Sequence, residues 1–290
     1  MKTAVVGANG QLGNDICGVF EEAGDSVARL THPDIEIVSE DSVVSVLGAI
    51  APDLVINTAA MHHVEKCESD PAGSFAVNGV GARNVARWAA QANVPIAYIS
   101  TDYVFGGDKM SPYVESDAPA PLNVYGVTKL AGEHFTCCQN PKHFVLRVSG
   151  LYGLNPCRAK GGLNFVELML KLSREREQLQ VVDDEFVSPT PTIQVARQLL
   201  RLSRTDAYGL YHATTEGSCS WYEFAREIFA LSGAKVRLEK AAPGEFPAKV
   251  PRPKYSVLDN AALRTASLNV FTDWREGLRD YLGTRGGASC

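Results

Sequence analysis

Apolar positions in the first half of the chain follow two alternating periods. Short, nearly unbroken apolar runs at residues 3–6, 26–30, 54–57, 96–100 and 144–148 read as strands, because parallel strands covered on both faces carry no polar alternation. Between them lie stretches with helical spacing, near 11–23, over 43–50 and in a helix running through Gln91, each with an apolar face to set against a sheet. Repetition of strand, helix and strand predicts an α/β fold, a doubly wound parallel sheet with helices on both faces.

After about Ser149 the pattern loosens. A glycine-rich loop through Gly161-Gly162 precedes a helix near 165–176, short β-like segments at 179–182 and 210–213, and helices near 193–202 and 221–231. The stretch from Ala241 to Pro253 carries five prolines or glycines and reads as a loop. The expected organisation is a nucleotide-binding domain over 1–149, rejoined by segments near 185–215, and a smaller α/β substrate lobe built mainly from 150–290.

Composition narrows the partners more than the fold. With 45% hydrophobic and 21% charged residues in 290, the chain can build one large or two smaller cores and shows no bias toward disorder. A net charge of −5 without a cluster of Lys and Arg argues against nucleic acid or an anionic membrane as partner, leaving a small ligand. No apolar run reaches the roughly 18 residues of a membrane span. The chain passes from Met1-Lys2-Thr3 directly into a strand-like run, so a cytoplasmic location is expected. Seven cysteines (Cys17, Cys67, Cys137, Cys138, Cys157, Cys219, Cys290) are scattered without a Cys-x-x-Cys spacing and read as reduced thiols, with Cys137-Cys138 packed late in a helix and no metal site.

The first strand-to-helix junction carries candidate chemistry. Val5-Val6-Gly7-Ala8-Asn9-Gly10-Gln11-Leu12-Gly13 places three glycines where a tight turn, close backbone approach and close helix packing would receive a pyrophosphate at a helix N-terminus. Gly7, Asn9, Gly10, Gln11, Leu12 and Gly13 are therefore expected at a dinucleotide. The second strand ends in Leu30-Thr31-His32, with neither the acid nor the arginine that selects between NAD and NADP. That choice stays open, although the missing acid removes one barrier to NADP. Glu36 is set to face either the adenine or solvent.

Tyr125 and Lys129, one helical turn apart, share a helix face. Such a pair arises by chance about 0.4 times in a chain of this composition, so context has to carry it. Thr101 supplies that context at the carboxyl end of a parallel strand, where ligands gather. A phenol with an ordinary pKa near ~10 needs support to exchange protons at neutral pH, and a lysine charge beside it favours phenolate. Thr101, Tyr125 and Lys129 together read as a site for proton transfer at a carbonyl.

These residues, with Val55-Ile56-Asn57-Thr58-Ala59-Ala60, Val77-Asn78, Ser100-Thr101-Asp102-Tyr103-Val104-Phe105, Leu163-Asn164-Phe165, Ser188-Pro189-Thr190 and Arg252-Pro253-Lys254-Tyr255-Ser256, make the chain similar to the extended short-chain dehydrogenase/reductase superfamily. Within it, the chain most resembles the dTDP-4-dehydrorhamnose reductase family. The resemblance covers nearly the whole length. It implies a Rossmann-type domain and NADPH, or alternatively NADH, reducing the 4-keto group of a dTDP-linked 6-deoxyhexose for polysaccharide synthesis. Tyr125 would then be the acid, Thr101 would hold the keto oxygen, and Lys129 would tune Tyr125 and bind the ribose. Ala59, Ala60 and Asn78 would line the cofactor. His62, Asp102, Tyr103, Asn164, Phe165 and Arg252 would meet the nucleotide sugar, with Asn164 and Arg252 at its diphosphate. A homodimer is the candidate assembly.

Three departures fall where sugar or base would be read: Met61-His62-His63, Gly150 in place of a tryptophan, and Glu185-Phe186-Val187 in place of Gln-Tyr-Gly. No third ligand is spaced to make His62 and His63 a metal site. Two alternatives stay open: an epimerase or dehydratase that retains NAD, and an NADP-binding regulatory subunit without turnover. Against the dehydratase stands Tyr103, which occupies the place of a second carboxylate after Asp102.

Overall fold

The computed structural model describes residues 1–157, 161–242, 244–245 and 248–287. Strands β1 (Lys2–Val6), β2 (Ser26–Leu30), β3 (Leu54–Asn57), β4 (Ile96–Thr101) and β5 (His143–Val148) pair in parallel in the order β2-β1-β3-β4-β5. Strands β6 (Gln178–Val181) and β7 (Phe186–Val187) lie outside this sheet, and β8 (Gly209–His212) returns to it as the sixth strand beside β5. Because β1 is flanked by β2 on one side and β3 on the other, the order of connection reverses there. A crevice therefore opens beyond the carboxyl ends of β1 and β3, where open α/β sheets take their ligands.

Helices close both faces. Helix α1 (Gln11–Glu22) lies on one face, where Ile16 and Phe20 pack against Val5, Ile56 and Leu146 of the sheet. On the opposite face, α2 (Glu40–Ile50) sets Val43 and Leu47 against Ala4, Val6 and Val55. Helix α2 starts three residues before the apolar pattern does, because Ser39 caps it by accepting from Ser42 N–H.

The single helix expected through Gln91 is instead α3 (Val64–Ser69), α4 (Pro71–Phe75), a π-helical turn (Ala76–Gly81) and α5 (Ala82–Gln91). Pro71 is the cause of the first break: it lacks an N–H to continue α3, and Asp70 restarts the chain by accepting from Gly73 N–H at 2.9 Å. Helix α6 (Val124–Gln139) then carries the Tyr125/Lys129 pair, and α7 (Phe165–Glu175) opens the second lobe.

The chain crosses between lobes more than once. Helix α8 (Thr192–Ser203) buries Val195 and Leu199 in the same core as α1, as do Leu263 of α10 (Ala261–Thr265) and the neighbouring Phe271. A separate core holds Val166, Leu179, Phe224 of α9 (Trp221–Ser232), and Trp274 and Leu278 of α11 (Trp274–Gly287). Strand β9 (Cys219–Ser220) pairs with β7, and β10 (Arg237–Lys240) with β6. The elements β10, α10 and α11 are not visible in the hydrophobic pattern. Helix α11 mixes four glycines with five charged side chains and presents little apolar periodicity.

Cys17, Cys67 and Cys219 are buried, whereas Cys137 and Cys138 are exposed rather than packed, since both fall on the outward side of the last turns of α6. Cys290 lies outside the described residues, as do residues 158–160 of the glycine-rich loop and Pro243, Phe246 and Pro247 of the loop after β10. Among the described residues no helix is long and apolar enough to cross a membrane.

Two glycines of α1 make opposite predictions. A Cβ on Gly13 would collide with the Gly7 carbonyl oxygen, whereas one on Gly18 meets nothing within 4 Å. Gly13→Ala is expected to destabilise by about 1–3 kcal/mol, as overpacking does. Gly18→Ala is expected to stabilise by up to ~1 kcal/mol through helix propensity. Urea unfolding of the two variants checks both signs.

Candidate active site

The glycine turn is built by backbone contact. Gly7 has φ +81°, and a Cβ there would sit 2.6 Å from Thr58 Oγ1 and 2.9 Å from the Ala59 nitrogen. The turn is thereby pressed onto the end of β3, and Gly7 N–H donates to the Leu30 carbonyl at 2.8 Å. Gly10 is the N-cap of α1 and offers no side chain, so the amides of the first turn and the positive end of the helix dipole face the crevice. The adjoining cleft, about 820 Å³, is lined by Gly7, Asn9, Gly10, Gln11, Thr31, Glu36, Ala59, Ala60 and His62. It fits the adenosine and pyrophosphate of a dinucleotide, and a Cβ at Gly7 would push the turn that borders it off Thr58 and Ala59.

At the end of β2 the polar groups satisfy one another. Glu36 accepts from Val38 N–H at 3.0 Å and pairs with His32 Nε2 at 2.9 Å. Asn78 does not reach the cleft. It is fully buried, accepting from Met61 N–H and donating to Met61 O, Ser74 Oγ and Thr128 Oγ1. It fixes the 59–62 loop rather than touching what that loop contacts.

A second cavity of about 280 Å³ continues past Gly10 and Gln11 to Leu12, Gly13, Thr101, Tyr125 and Lys129. Thr101 ends β4 and caps the 3-10 turn Asp102–Val104 by accepting from Tyr103 N–H at 3.2 Å. Tyr125 stands in the first turn of α6, which Asn123 caps by accepting from Gly126 N–H at 2.9 Å. The hydroxyls of Tyr125 and Thr101 are hydrogen-bonded, and the Tyr125 ring meets Tyr103 edge-on at 5.9 Å between centroids. Three sequence-predicted residues, Thr101, Tyr103 and Tyr125, therefore share one wall.

Electrostatics here run against one expectation. Burial raises the Tyr125 phenol above its ordinary value, and the hydrogen bond from Thr101 only partly offsets it. Lys129 has partners of its own. It is 2% exposed, donates through Nζ to Ile99 O at 2.5 Å, and lies 4.0 Å from the centre of the Tyr98 ring. Burial lowers its pKa to about 7, against an upward pull from Glu133. Lys129 thus lines the cleft with its amine turned to the Ile99 carbonyl and the Tyr98 ring.

The far wall belongs to the second lobe. Phe165 tilts against Trp221 at 4.6 Å between centroids, and Glu185, Val187 and Ser256 complete the side opposite Tyr103. Asp102 also borders the cavity, but Ser149 Oγ donates to it at 2.7 Å, Thr101 Oγ1 at 3.0 Å, and Ser256 also bonds it; burial raises its carboxyl. Asn164 is a helix cap rather than a cleft residue. It accepts from Glu167 N–H and donates to Gly153 O and the Tyr281 hydroxyl, leaving no polar atom for a ligand. Arg252 sits beside the wall, where its Nη2 pairs with Glu65 at 2.8 Å and its buried Nε has no partner.

Glu185 enters the site as part of one of the three departures noted in the sequence, whereas Trp221 is missing from the residues expected there. Trp221 is the first residue of α9 after a Ser220/Glu223 capping box, a helix-start signal that places an aromatic at the rim.

The family model described as RmlD substrate binding domain matches residues 1–285. The spore coat polysaccharide biosynthesis protein SpsK of Bacillus subtilis is 38% identical, with 99% of each chain covered. A dTDP-4-keto-6-deoxy-D-glucose reductase of Streptomyces niveus is 34% identical over 94% of each. The crystal structure of the dTDP-4-dehydrorhamnose reductase of Bacillus anthracis in complex with NADP superposes with a TM-score of 0.93 at 36% identity, covering 98% of this chain and 100% of that one.

Lys129 gives a pH signature. Its folded pKa of about 7 lies below its ordinary 10.5, so between those values the unfolded chain holds a proton that the folded chain has released. Its contribution to stability therefore rises with pH across that window and is least favourable below pH 7. Denaturant unfolding of wild type and Lys129→Met at pH 7, 8 and 9 should show the difference between them changing in that direction. A constant difference would place the lysine pKa elsewhere.

Proposed function

The chain belongs to the RmlD substrate binding domain family, and on that premise we propose that it is an NADPH-dependent oxidoreductase of nucleotide sugars. The reaction is reduction of the 4-keto group of a dTDP-linked 6-deoxyhexose, with dTDP-4-dehydro-L-rhamnose as the leading substrate. The observation that carries this reading is the hydrogen-bonded Thr101/Tyr125 pair in a cavity continuous with the glycine-turn cleft. NADP in the Bacillus anthracis relative supports the cofactor.

Gly7, Asn9, Gly10, Gln11 and Gly13 would hold the dinucleotide, with Ala59, Ala60 and Glu36 along its adenosine end. When bound, the nicotinamide supplies a hydride to the carbonyl carbon. Tyr125 donates to the carbonyl oxygen, and Thr101 does so once its one proton turns from Asp102 to that oxygen. As that oxygen gains negative charge, the Tyr125 O–H transfers its proton to it, leaving phenolate and an alcohol. Because an alkoxide is more basic than a phenolate, a phenol kept protonated by burial is a competent donor. Phe165 and Trp221 provide apolar surface against a sugar or base, and Arg252 offers a guanidinium at the rim for the diphosphate once Glu65 yields it. Residues 1–149 with segments near 185–215 then serve as the cofactor part, and most of 150–290 as the substrate lobe.

Dehydration is disfavoured by the same geometry. Asp102 is occupied by three hydroxyl partners, and its neighbour in the chain is Tyr103, so no second carboxylate stands beside it to share the removal of water. An intact proton donor likewise speaks against a regulatory subunit without turnover.

Purified protein with NADPH and enzymatically prepared dTDP-4-keto-6-deoxyhexose is expected to lose nicotinamide absorbance, and absence of turnover with every such keto-sugar would sink this reading. Tyr125→Phe should lower kcat by about two to four orders of magnitude with NADPH affinity nearly unchanged, as measured by steady-state kinetics and cofactor titration.

A further inference from the structure

Glu185 immediately precedes β7 and borders the cavity that holds Thr101 and Tyr125. It is clamped to the start of α9 twice: Trp221 N–H donates to the Glu185 carbonyl at 3.3 Å, and the Trp221 side chain hydrogen-bonds the carboxyl. Trp221 is itself set against Phe165, so the carboxyl sits on a rigid aromatic backing. A carboxylate has acceptor capacity for about four hydrogen bonds and no donor when ionised. One indole N–H leaves most of that capacity directed at the cavity, and a half-buried acceptor without a partner is costly.

We propose that Glu185 is a substrate-reading residue whose carboxylate accepts a hydrogen bond from a ring hydroxyl of the bound hexose. The inference rests on the keto-sugar reading above and adds the group that recognises the sugar. Three features favour the hexose over other parts of the ligand. The Glu185 charge acts on the Tyr103 phenol, and the Tyr103 ring lies 5.9 Å from that of Tyr125. Glu185, Tyr103 and Tyr125 therefore line one cavity, so a hexose held at Tyr125 shares its enclosure with the Glu185 carboxyl. A diphosphate would be repelled by a carboxylate and is better matched to Arg252. On the cavity wall, Gly150 offers a ring backbone with no side chain of its own, in the left-handed conformation at φ +55°.

Carboxylate and carboxamide differ here in kind. Glutamine both donates and accepts and tolerates either partner, whereas an ionised glutamate requires a donor. The experiment is calorimetric titration of the NADP complex with dTDP-L-rhamnose and its 2-deoxy and 3-deoxy analogues, using wild type, Glu185→Gln and Glu185→Ala. Wild type should prefer the hydroxylated sugar to one of the two analogues by about 10- to 100-fold, the size of a charge-assisted hydrogen bond. That preference should fall to within about threefold in Glu185→Ala and to an intermediate value in Glu185→Gln, with NADPH affinity unchanged as evidence of intact folding. Equal binding of all three sugars by wild type, or undiminished discrimination in Glu185→Ala, would overturn the assignment. Glu185-dependent discrimination without reduction of any keto-sugar would keep the subsite and remove the reductase reading; failure to bind any dTDP-hexose would remove both.

Discussion

The buried ion pair between Glu133 and Arg147 holds the reactive edge of this protein together. Arg147 Nε and Nη2 donate to the two carboxyl oxygens at 2.9 and 2.7 Å, and Ser100 Oγ donates to the same carboxyl. Three elements are tied at one point: β4 through the residue before Thr101, α6 one turn after Lys129, and β5 two residues before Ser149, which in turn fixes Asp102. A charge pair this deep is retained only with excellent geometry, since removing one partner strands the other at a cost of about 3–5 kcal/mol. Arg147 also lies 5.0 Å from the Phe105 ring, while its remaining nitrogen is unpartnered. Register between the strand that ends in Thr101 and the helix that carries Tyr125 follows from this contact, because packing alone lets strands and helices slide by small increments whereas a two-pronged ion pair does not.

Burial then sets the protonation of the working groups in a single direction. It favours the neutral forms of Tyr125, Asp102 and Lys129, raising the first two and lowering the third. Glu133 is the counterweight that pulls Lys129 upward, so one carboxylate both anchors the strand edge and moderates the lysine. A neutral phenol beside a threonine hydroxyl is prepared to give a proton to a developing alkoxide. It is poorly prepared to begin as a phenolate, which is the form that oxidation of an alcohol needs. The electrostatics thus match reduction more naturally than the reverse step.

What was legible in the sequence was whatever backbone geometry or one element alone imposes. Gly7 and Gly13 stand out because no other residue fits against Thr58, Ala59 and the Gly7 carbonyl. Tyr125 and Lys129 stand out because a single helix spaces them. Asn78 and Asn164 looked equally distinctive, yet each spends its amide inside the protein, one on the Met61 loop and the other capping α7. A sequence motif records that an amide is required without recording what it bonds. Glu185 and Trp221 were invisible as a pair for the converse reason, since they meet only when β7 folds against the start of α9. The direction of the Lys129 ammonium was equally beyond reach, because it depends on the Ile99 carbonyl and Tyr98 ring of another element.

The same distant pairing explains why the two lobes do not behave as beads on a string. Gln11, inside the glycine turn, donates to the carbonyls of Gly153 and Asn155 at 3.3 and 2.8 Å. Asp15, one turn further along α1, accepts from Asn155 Nδ2 at 3.0 Å and from the Thr192 hydroxyl at the start of α8. Burial raises the Asp15 carboxyl while these two donors hold it down. The first helix, the segment leading into the second lobe and the helix that returns to the sheet are therefore bonded at the glycine-turn end of the cleft. A second set of ties lies at the other end, where Asn123, the cap of the helix that carries Tyr125, donates to Pro251 O at 2.9 Å and Arg252 pairs with Glu65 at 2.8 Å, so the substrate lobe is held to the sheet on both sides of the cleft.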